Sequence, residues 1–182
     1  ELGHVHVIDS CNLSTGTGLT VVAAGKMIEQ GMDAETIAEK LRAGTSRRHA
    51  SFILDTLTFL SAGGRCSSVT AFGANMLKLK PCIQVDNHDG SMTVGKKYRG
   101  SLDKVLVKYV KDELARYSDI NTDLLFITHS GIPQDYIDLV KKTVEDTITF
   151  KEIHITKASC TISCHCGPNT LGILFESNSS SI

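Results

Sequence analysis

The chain has 182 residues, a formal net charge of -1 at pH 7 and 21 % charged residues. This balance excludes a disordered charged tail and argues against a protein that binds nucleic acid through an excess of basic charge. A chain of this length buries roughly 70 % of the surface that its unfolded form exposes, so it can form a proper core. Tryptophan is absent and aromatic residues make up 5 %, which favours aliphatic α/β layers.

The beginning of the chain and its cysteines bear on where the protein resides. The chain starts at Glu1 and enters a strand-like run at His4 without a charged-then-apolar leader, so we expect a piece or a processed form of a longer protein. Six cysteines are too few for a secreted disulfide scaffold of this length. We therefore expect a cytoplasmic protein with reduced thiols. No segment reaches the roughly 20 uninterrupted apolar residues of a membrane-spanning helix.

The first 45 residues alternate strand and helix signals. Residues 4–8 predict a buried strand, and a glycine-rich turn then leads into a helix whose apolar residues recur at helical spacing until Gly31. Asp33 is a good N-cap residue and predicts the start of a second helix. The polar, basic run 44–49 predicts a boundary between two structural units.

The rest of the chain predicts a mixed sheet with helices packed on it. The Asp89-Gly90 pair indicates a hairpin, which requires an antiparallel pair of strands beside the strand–helix alternation. Helices are predicted at 56–62, 67–77, from Ser101 and at 133–146. Strands are predicted at 51–55, 82–86, 91–98, 124–128, 151–155, 161–165 and 171–175. Residues 177–182 are expected to form a polar tail.

Two motifs could carry chemistry. Cys160-x3-Cys164-His165-Cys166 suggests a zinc or redox site, but on a strand His165 would face away from the three cysteines, so buried thiols are favoured. The Gly16-x-Gly18 turn resembles a phosphate loop without its Gly-Lys-Ser/Thr, which favours a plain strand-to-helix turn over a phosphotransfer enzyme. Neither a nucleophile triad nor paired carboxylates can be assembled from the spacing, so we expect no catalytic residues.

Two further features could bind a partner or a ligand. Arg65 follows Gly63-Gly64, where it could pair with an acidic residue, clamp two elements together or contact an anionic head group. His165 is predicted at a strand end before the turn at Gly167, where it is either a ligand group of the kind that α/β sheets position there or a surface or hydrogen-bonded histidine. The basic run 96–116 is either a solvated helix face or a docking surface for an acidic partner.

Seven short motifs follow one another along the chain. They are Val7-Ile-Asp-Ser10 with Ser14-x-Gly16-x-Gly18, Asp55-Thr-Leu-Thr-Phe-Leu60, Gly63-Gly-Arg65, Leu79-Lys-Pro81, Asp89-Gly90, Arg99-Gly100, and His165-x-Gly167-Pro168-x-Thr170. Their order and spacing resemble the DegV family of bacterial fatty-acid-binding proteins, up to about Phe175. Asn169 stands where the family has glycine, and Asn tolerates the left-handed backbone that such a turn uses. Cys66 replaces the usual isoleucine.

The resemblance implies a two-domain α/β fold that lacks the N-terminal part of its first domain. Residues 1–45 would be the remnant of that parallel α/β domain, and residues 46–176 the second domain with the mixed sheet. The family holds a long-chain fatty acid in a tunnel between the domains, and hydroxyls of the missing N-terminal region bind the carboxylate. The chain would then be a non-enzymatic carrier that presents the fatty acid to a separate fatty acid kinase. A zinc or redox module at Cys160–Cys166 is the alternative.

We expect no cofactor and no metal besides the fatty acid as ligand, and no nucleic-acid partner. A peripheral contact with a membrane is compatible with this interpretation. Lys97, Arg99 and Lys104 are predicted to contribute to docking of the kinase. The ligand-binding residues are predicted to be His165, Gly167 and Arg65 near the carboxylate, and Phe59, Leu60, Phe72, Met76 and Ile83 along the acyl chain.

Overall fold

The computed structural model describes residues 4–64 and 79–179. The helices in these ranges are α1 (Thr15–Glu29), α2 (Ala34–Ala43), α3 (Thr58–Ala62), α4 (Leu102–Ala115), α5 (Gln134–Thr147) and α6 (Cys160–Cys166). The strands are β1 (Arg48–Ile53), β2 (Leu79–Val85), β3 (Met92–Arg99), β4 (Ile120–His129), β5 (Glu152–Lys157) and β6 (Leu171–Ser177).

The strands form a six-stranded mixed sheet in the order β3-β2-β1-β6-β4-β5. Only β4 and β5 run parallel, and the other neighbouring pairs are antiparallel. The predicted hairpin connects β2 to β3, where Asp86 N–H donates to the Ser91 carbonyl at 2.8 Å and Gly90 adopts a φ of +76°. The mixed α/β fold is therefore confirmed, and β6, the last strand, lies between β1 and β4.

One face of the sheet is covered by α4 and α5. Their apolar stripes pack on β4 and β6 around side chains that solvent does not reach, among them Leu106, Val140 and Ile173. Tyr109 is fully buried in this layer, where its hydroxyl donates to the Ser51 carbonyl at 2.8 Å and accepts the Ile173 N–H at 3.1 Å. These contacts fix α4 to the centre of the sheet.

The opposite face is covered by α1 at one side and by the pair α3 and α6 at the other. Leu19 of α1 packs with Ala50, Phe126 and Leu174 of the sheet. A separate cluster joins Leu54, Leu60, Ile83 and Cys166. The space between α1 and α6 on this face is the position of the candidate site. Helix α1 packs on the same sheet as the rest of the chain. The division into two domains after residue 45 stays a prediction.

Three sequence predictions differ from the structure. Residues 4–8 join no strand of the described sheet, and Val5 and Val7 are 71 % and 80 % exposed. Residues 161–165 lie in helix α6 rather than in a strand, because Ser159 caps the helix by accepting the Ile162 N–H. Ser177, assigned to the polar tail, ends β6 and is buried.

Local capping explains where several predicted helices begin. Asp33 accepts the Thr36 N–H at 2.9 Å and so caps α2 as predicted. Pro133 directly precedes α5, where its missing N–H removes no helical hydrogen bond. The helix predicted over 67–77 lies outside the described residues.

Candidate functional site

A cavity lies between the N-terminal turn of α1, the second face of the sheet and α6. It has a volume of about 50 Å³ and is partly open to solvent, so it can enclose a part of a ligand rather than a whole one. Its lining residues are Asn12, Leu13, Ser14, Thr15, Ala50, Ser51, Phe52, Val85, Thr128, His129, Ser130, Ala158, Ile162, Cys166, Thr170, Gly172 and Leu174.

The floor and the α6 side of this cavity are apolar. Strand alternation brings Ala50 and Phe52 of β1 to this face, beside Leu174 of β6. Gly172 of β6 keeps the backbones close, since a Cβ there would lie 2.4 Å from the Ser51 carbonyl oxygen. Burial raises the pKa of the Cys166 thiol to about 11, so this side chain contributes a neutral, weakly polar surface at pH 7.

The side formed by α1 and the end of β4 is polar. The Thr128 hydroxyl is hydrogen bonded to that of Thr15 on α1 and, at 2.8 Å, to that of Thr156 on β5. The Ser130 hydroxyl donates to the Gly167 carbonyl and so connects the end of β4 to the end of α6. One wall is therefore lined by hydroxyl groups that are hydrogen bonded within the protein, and the other wall is lined by hydrocarbon.

His129 adds a neutral imidazole to the polar side. Its Nδ1 accepts the Gly131 N–H at 3.2 Å, so the ring proton resides on Nε2. Burial and the nearby Lys157 ammonium both lower the pKa of His129. The ring is therefore uncharged at neutral pH and its Nε2–H is a hydrogen-bond donor.

The predicted acyl-facing residues that the structure describes lie beside the cavity rather than in its lining. Leu60 and Ile83 are 1 % and 0 % exposed and belong to the cluster that also contains Cys166, which does line the cavity. Phe59 is 40 % exposed, and its ring lies over Gly167. Phe72 and Met76 lie outside the described residues, so the acyl assignment stays a prediction.

The structure describes two of the three predicted head-group residues, His165 and Gly167. His165 lies on α6 against Gly63, and its Nδ1 is buried without a hydrogen-bond partner among the described residues. Gly167 adopts a φ of +74°, and its N–H, expected to serve the carboxylate, donates to the Ser163 carbonyl at 2.8 Å. Arg65 lies outside the described residues. Nearby, the Asp55 carboxylate accepts from Asn169 and Lys80, which fastens the turn after α6 to β2.

The cysteine motif lies on helix α6 and not on the strand that was predicted from the sequence. Cys160 and Cys164 are exposed one turn apart on α6, whereas Cys166 is buried. Within the described ranges, no group of three or more His, Cys, Asp or Glu side chains is arranged to hold a metal ion. Likewise, no helix of the described residues is long and apolar enough to cross a membrane.

A larger cavity lies on the α4 face, and its character is different. It is lined by charged and polar groups that include His49, Glu113, Arg116 and Asp119. A hydrocarbon chain gains free energy from apolar walls, so the cavity beside α6 is the better candidate for an apolar ligand.

Comparison with known proteins gives a consistent family assignment. The model of the family described as "Uncharacterised protein, DegV family" matches residues 1–178. A DegV domain-containing protein of Caldanaerobacter subterraneus subsp. tengcongensis is 24 % identical over 97 % of this chain and 61 % of its own length. The chain thus spans about three fifths of the length of such relatives.

Solved structures share the fold. A DegV family protein from Thermus thermophilus, described by its fatty acid binding, is 26 % identical and superimposes with a TM-score of 0.80 over 96 % of this chain and 60 % of that one. The fatty acid kinase B3 protein of Streptococcus pneumoniae, loaded with linoleic acid, is 21 % identical, with a TM-score of 0.81 over 96 % of this chain and 60 % of that one.

Proposed function

The chain belongs to the DegV family, and on that basis we propose that the cavity between α1 and α6 holds part of the hydrocarbon chain of a long-chain fatty acid. The observation that carries the proposal is the apolar wall formed by β1, β6 and α6. Each buried methylene of a ligand is worth about 0.8 kcal/mol, so an acyl chain can be held mainly by its length. On the polar wall, the Nε2–H of His129 is a hydrogen-bond donor for an oxygen of the ligand.

The chemistry of the described lining fits a carrier better than an enzyme. The Ser130 hydroxyl is committed to the Gly167 carbonyl, and the Cys166 thiol has its pKa raised to about 11. His129 Nδ1, the basic nitrogen of the neutral ring, already accepts a backbone N–H. None of these three groups is an activated nucleophile paired with a base. We propose a cytoplasmic binding protein.

We further propose that the protein presents the fatty acid carboxylate to a separate kinase. Lys97, Arg99 and Lys104 are exposed at the end of β3 and the start of α4, and Lys108 and Lys111 are exposed along α4. Surface charges of this kind act mainly on the rate of association. Reversing the first three charges should leave fatty acid binding intact and abolish salt-sensitive binding of the kinase. Unchanged kinase binding in that variant would refute the docking assignment.

The cavity assignment is tested by blocking the cavity. Ala158 lines it from the loop between β5 and α6, so the variant Ala158→Phe places a ring where we propose the acyl chain lies. Ala115→Phe, at an exposed position at the end of α4, is the matched control. Displacement of the fluorescent fatty acid cis-parinaric acid measures binding, and thermal melting checks the fold. We expect loss of binding in the first variant only; equal binding in both would contradict the assignment.

The identity of the bound lipid is tested separately. Native mass spectrometry of the purified chain, followed by extraction of the lipid, should give one long-chain fatty acid per protein. A stoichiometric metal ion in place of the lipid would favour the zinc or redox alternative at Cys160–Cys166.

A further inference from the structure

Asn12 lines the cavity and has a buried side-chain nitrogen without a partner. Its Nδ2 makes no hydrogen bond to any of the described residues. A buried N–H that forms no hydrogen bond is costly, and native proteins rarely retain one without a reason. This residue was not singled out from the sequence, and it lies on the polar side of the cavity with Thr15 and His129.

The orientation of the Asn12 amide is determined by its other contacts. The Oδ1 atom accepts the N–H of Leu13 at 3.0 Å, which assigns the oxygen to that side and leaves Nδ2 as the unpaired end. The backbone carbonyl of Asn12 accepts hydrogen bonds from the hydroxyls of Ser10 and Thr17, both at 3.2 Å. Hydrogen bonds within the protein therefore fix both the side-chain oxygen and the backbone carbonyl of Asn12.

Gly16 makes room for this arrangement. A Cβ at Gly16 would lie 1.8 Å from Asn12 Oδ1, so any larger residue would displace the amide. The first turn of α1 thus accommodates an asparagine side chain whose donor is unused. A pre-positioned, unpaired donor in a cavity is what a polar atom of a ligand requires.

We infer that the Asn12 amide donates a hydrogen bond to an oxygen of the bound lipid, which makes Asn12 a specificity-determining residue. The inference rests on the proposed function. Two sources of that oxygen share the same chemistry: the carboxylate of the fatty acid and a hydroxyl group along the acyl chain. A lipid that presents an oxygen to Nδ2 satisfies the donor, and one that presents only methylenes leaves it unpaired.

Two variants separate these sources. Asn12→Asp keeps an oxygen to accept the Leu13 N–H but replaces the donor with a carboxylate. Asn12→Leu removes both polar groups. Asn121→Asp is the control, because Asn121 Oδ1 also accepts a nearby backbone N–H, that of Asp123 at 2.8 Å, and this residue does not line the cavity.

Binding of stearic acid, stearyl alcohol and 12-hydroxystearic acid is measured by displacement of cis-parinaric acid. If the oxygen is the carboxylate, Asn12→Asp should bind stearic acid about tenfold more weakly, as expected for the loss of a hydrogen bond to a charged group. The affinity for stearyl alcohol should then change less than the affinity for stearic acid. If the oxygen is a hydroxyl on the chain, the wild type should prefer 12-hydroxystearic acid to stearic acid, and Asn12→Leu should lose that preference.

Nuclear magnetic resonance gives a second readout that does not depend on affinity. The side-chain amide signal of Asn12, identified by its absence from Asn12→Asp, should move downfield when the bound lipid is added. Wild-type affinities in both variants, or an amide signal that does not move, would overturn the inference while the proposed function stands. A wild-type chain that binds none of the three lipids would overturn the proposed function first.

Discussion

His49 should make the protein sensitive to mild acid. The imidazole is 6 % exposed, stacks on Tyr117 with 4.1 Å between ring centroids, and bonds to the Ser177 hydroxyl through Nε2 at 3.0 Å. Its Nδ1 accepts from the Asn87 amide at 3.3 Å, so the ring is neutral in the folded protein. Burial, reinforced by the positive charge of Arg116, lowers the pKa of His49 from 6.5 to about 4.

The size of the effect follows from this pKa. Protonation favours the unfolded chain, because only there is the charged ring in water. The stability that His49 contributes is complete above pH 6.5, its ordinary pKa, and is lost as the pH falls toward 4. Each pH unit between the two pKa values corresponds to about 1.4 kcal/mol, which gives roughly 3 kcal/mol in total and about 2 kcal/mol between pH 7 and pH 4.5.

Urea unfolding at these two pH values tests the reasoning. The variant His49→Phe keeps an aromatic ring against Tyr117 but cannot be protonated. It should lose about 2 kcal/mol less unfolding free energy than the wild type when the pH is lowered to 4.5. Carboxylates titrate in both proteins, so their contribution cancels in the comparison. Equal losses would show that the charge on His49 is not what destabilises the acidified protein.

Two further predictions concern α1 and α6. Gly16→Ala should displace the Asn12 side chain and weaken fatty acid binding, which a displacement assay measures. Gly25→Ala in the same helix, where a Cβ meets nothing within 4 Å, should raise the unfolding free energy by about 0.5–1 kcal/mol, which urea unfolding measures. His165→Ala should weaken the binding free energy of the fatty acid by about 1–3 kcal/mol if the ring donates a hydrogen bond to the carboxylate. Unchanged retention, measured with the N-terminal region of the family present, would assign His165 to packing against Gly63 alone.

Much of the fold can be predicted from local signals. Asp33, the Asp89-Gly90 turn and Pro133 mark element boundaries whose physical basis is short-range, and the structure has elements at each of these places. Helix α6 was predicted as a strand because Thr161 and Ile162 are β-branched and because apolar and polar residues alternate over the run Cys160–Cys166. The Ser159 cap and the left-handed Gly167 at the other end outweigh that preference.

The cavity could not be predicted from the sequence, because it depends on the order of the strands. Asn12, Phe52, His129 and Ile162 come from four distant segments. They meet because β6 inserts between β1 and β4, a long-range pairing that no local pattern specifies. The motifs that carry the family resemblance lie mostly at turns, so they indicate the family without identifying the lining.

A crystal structure of the chain with heptadecanoic acid tests the central claim most directly. We expect electron density for the acyl chain between α1 and α6, in contact with Phe52, Ile162 and Leu174. Density on the opposite face of the sheet, in the cavity lined by His49 and Glu113, would contradict the account.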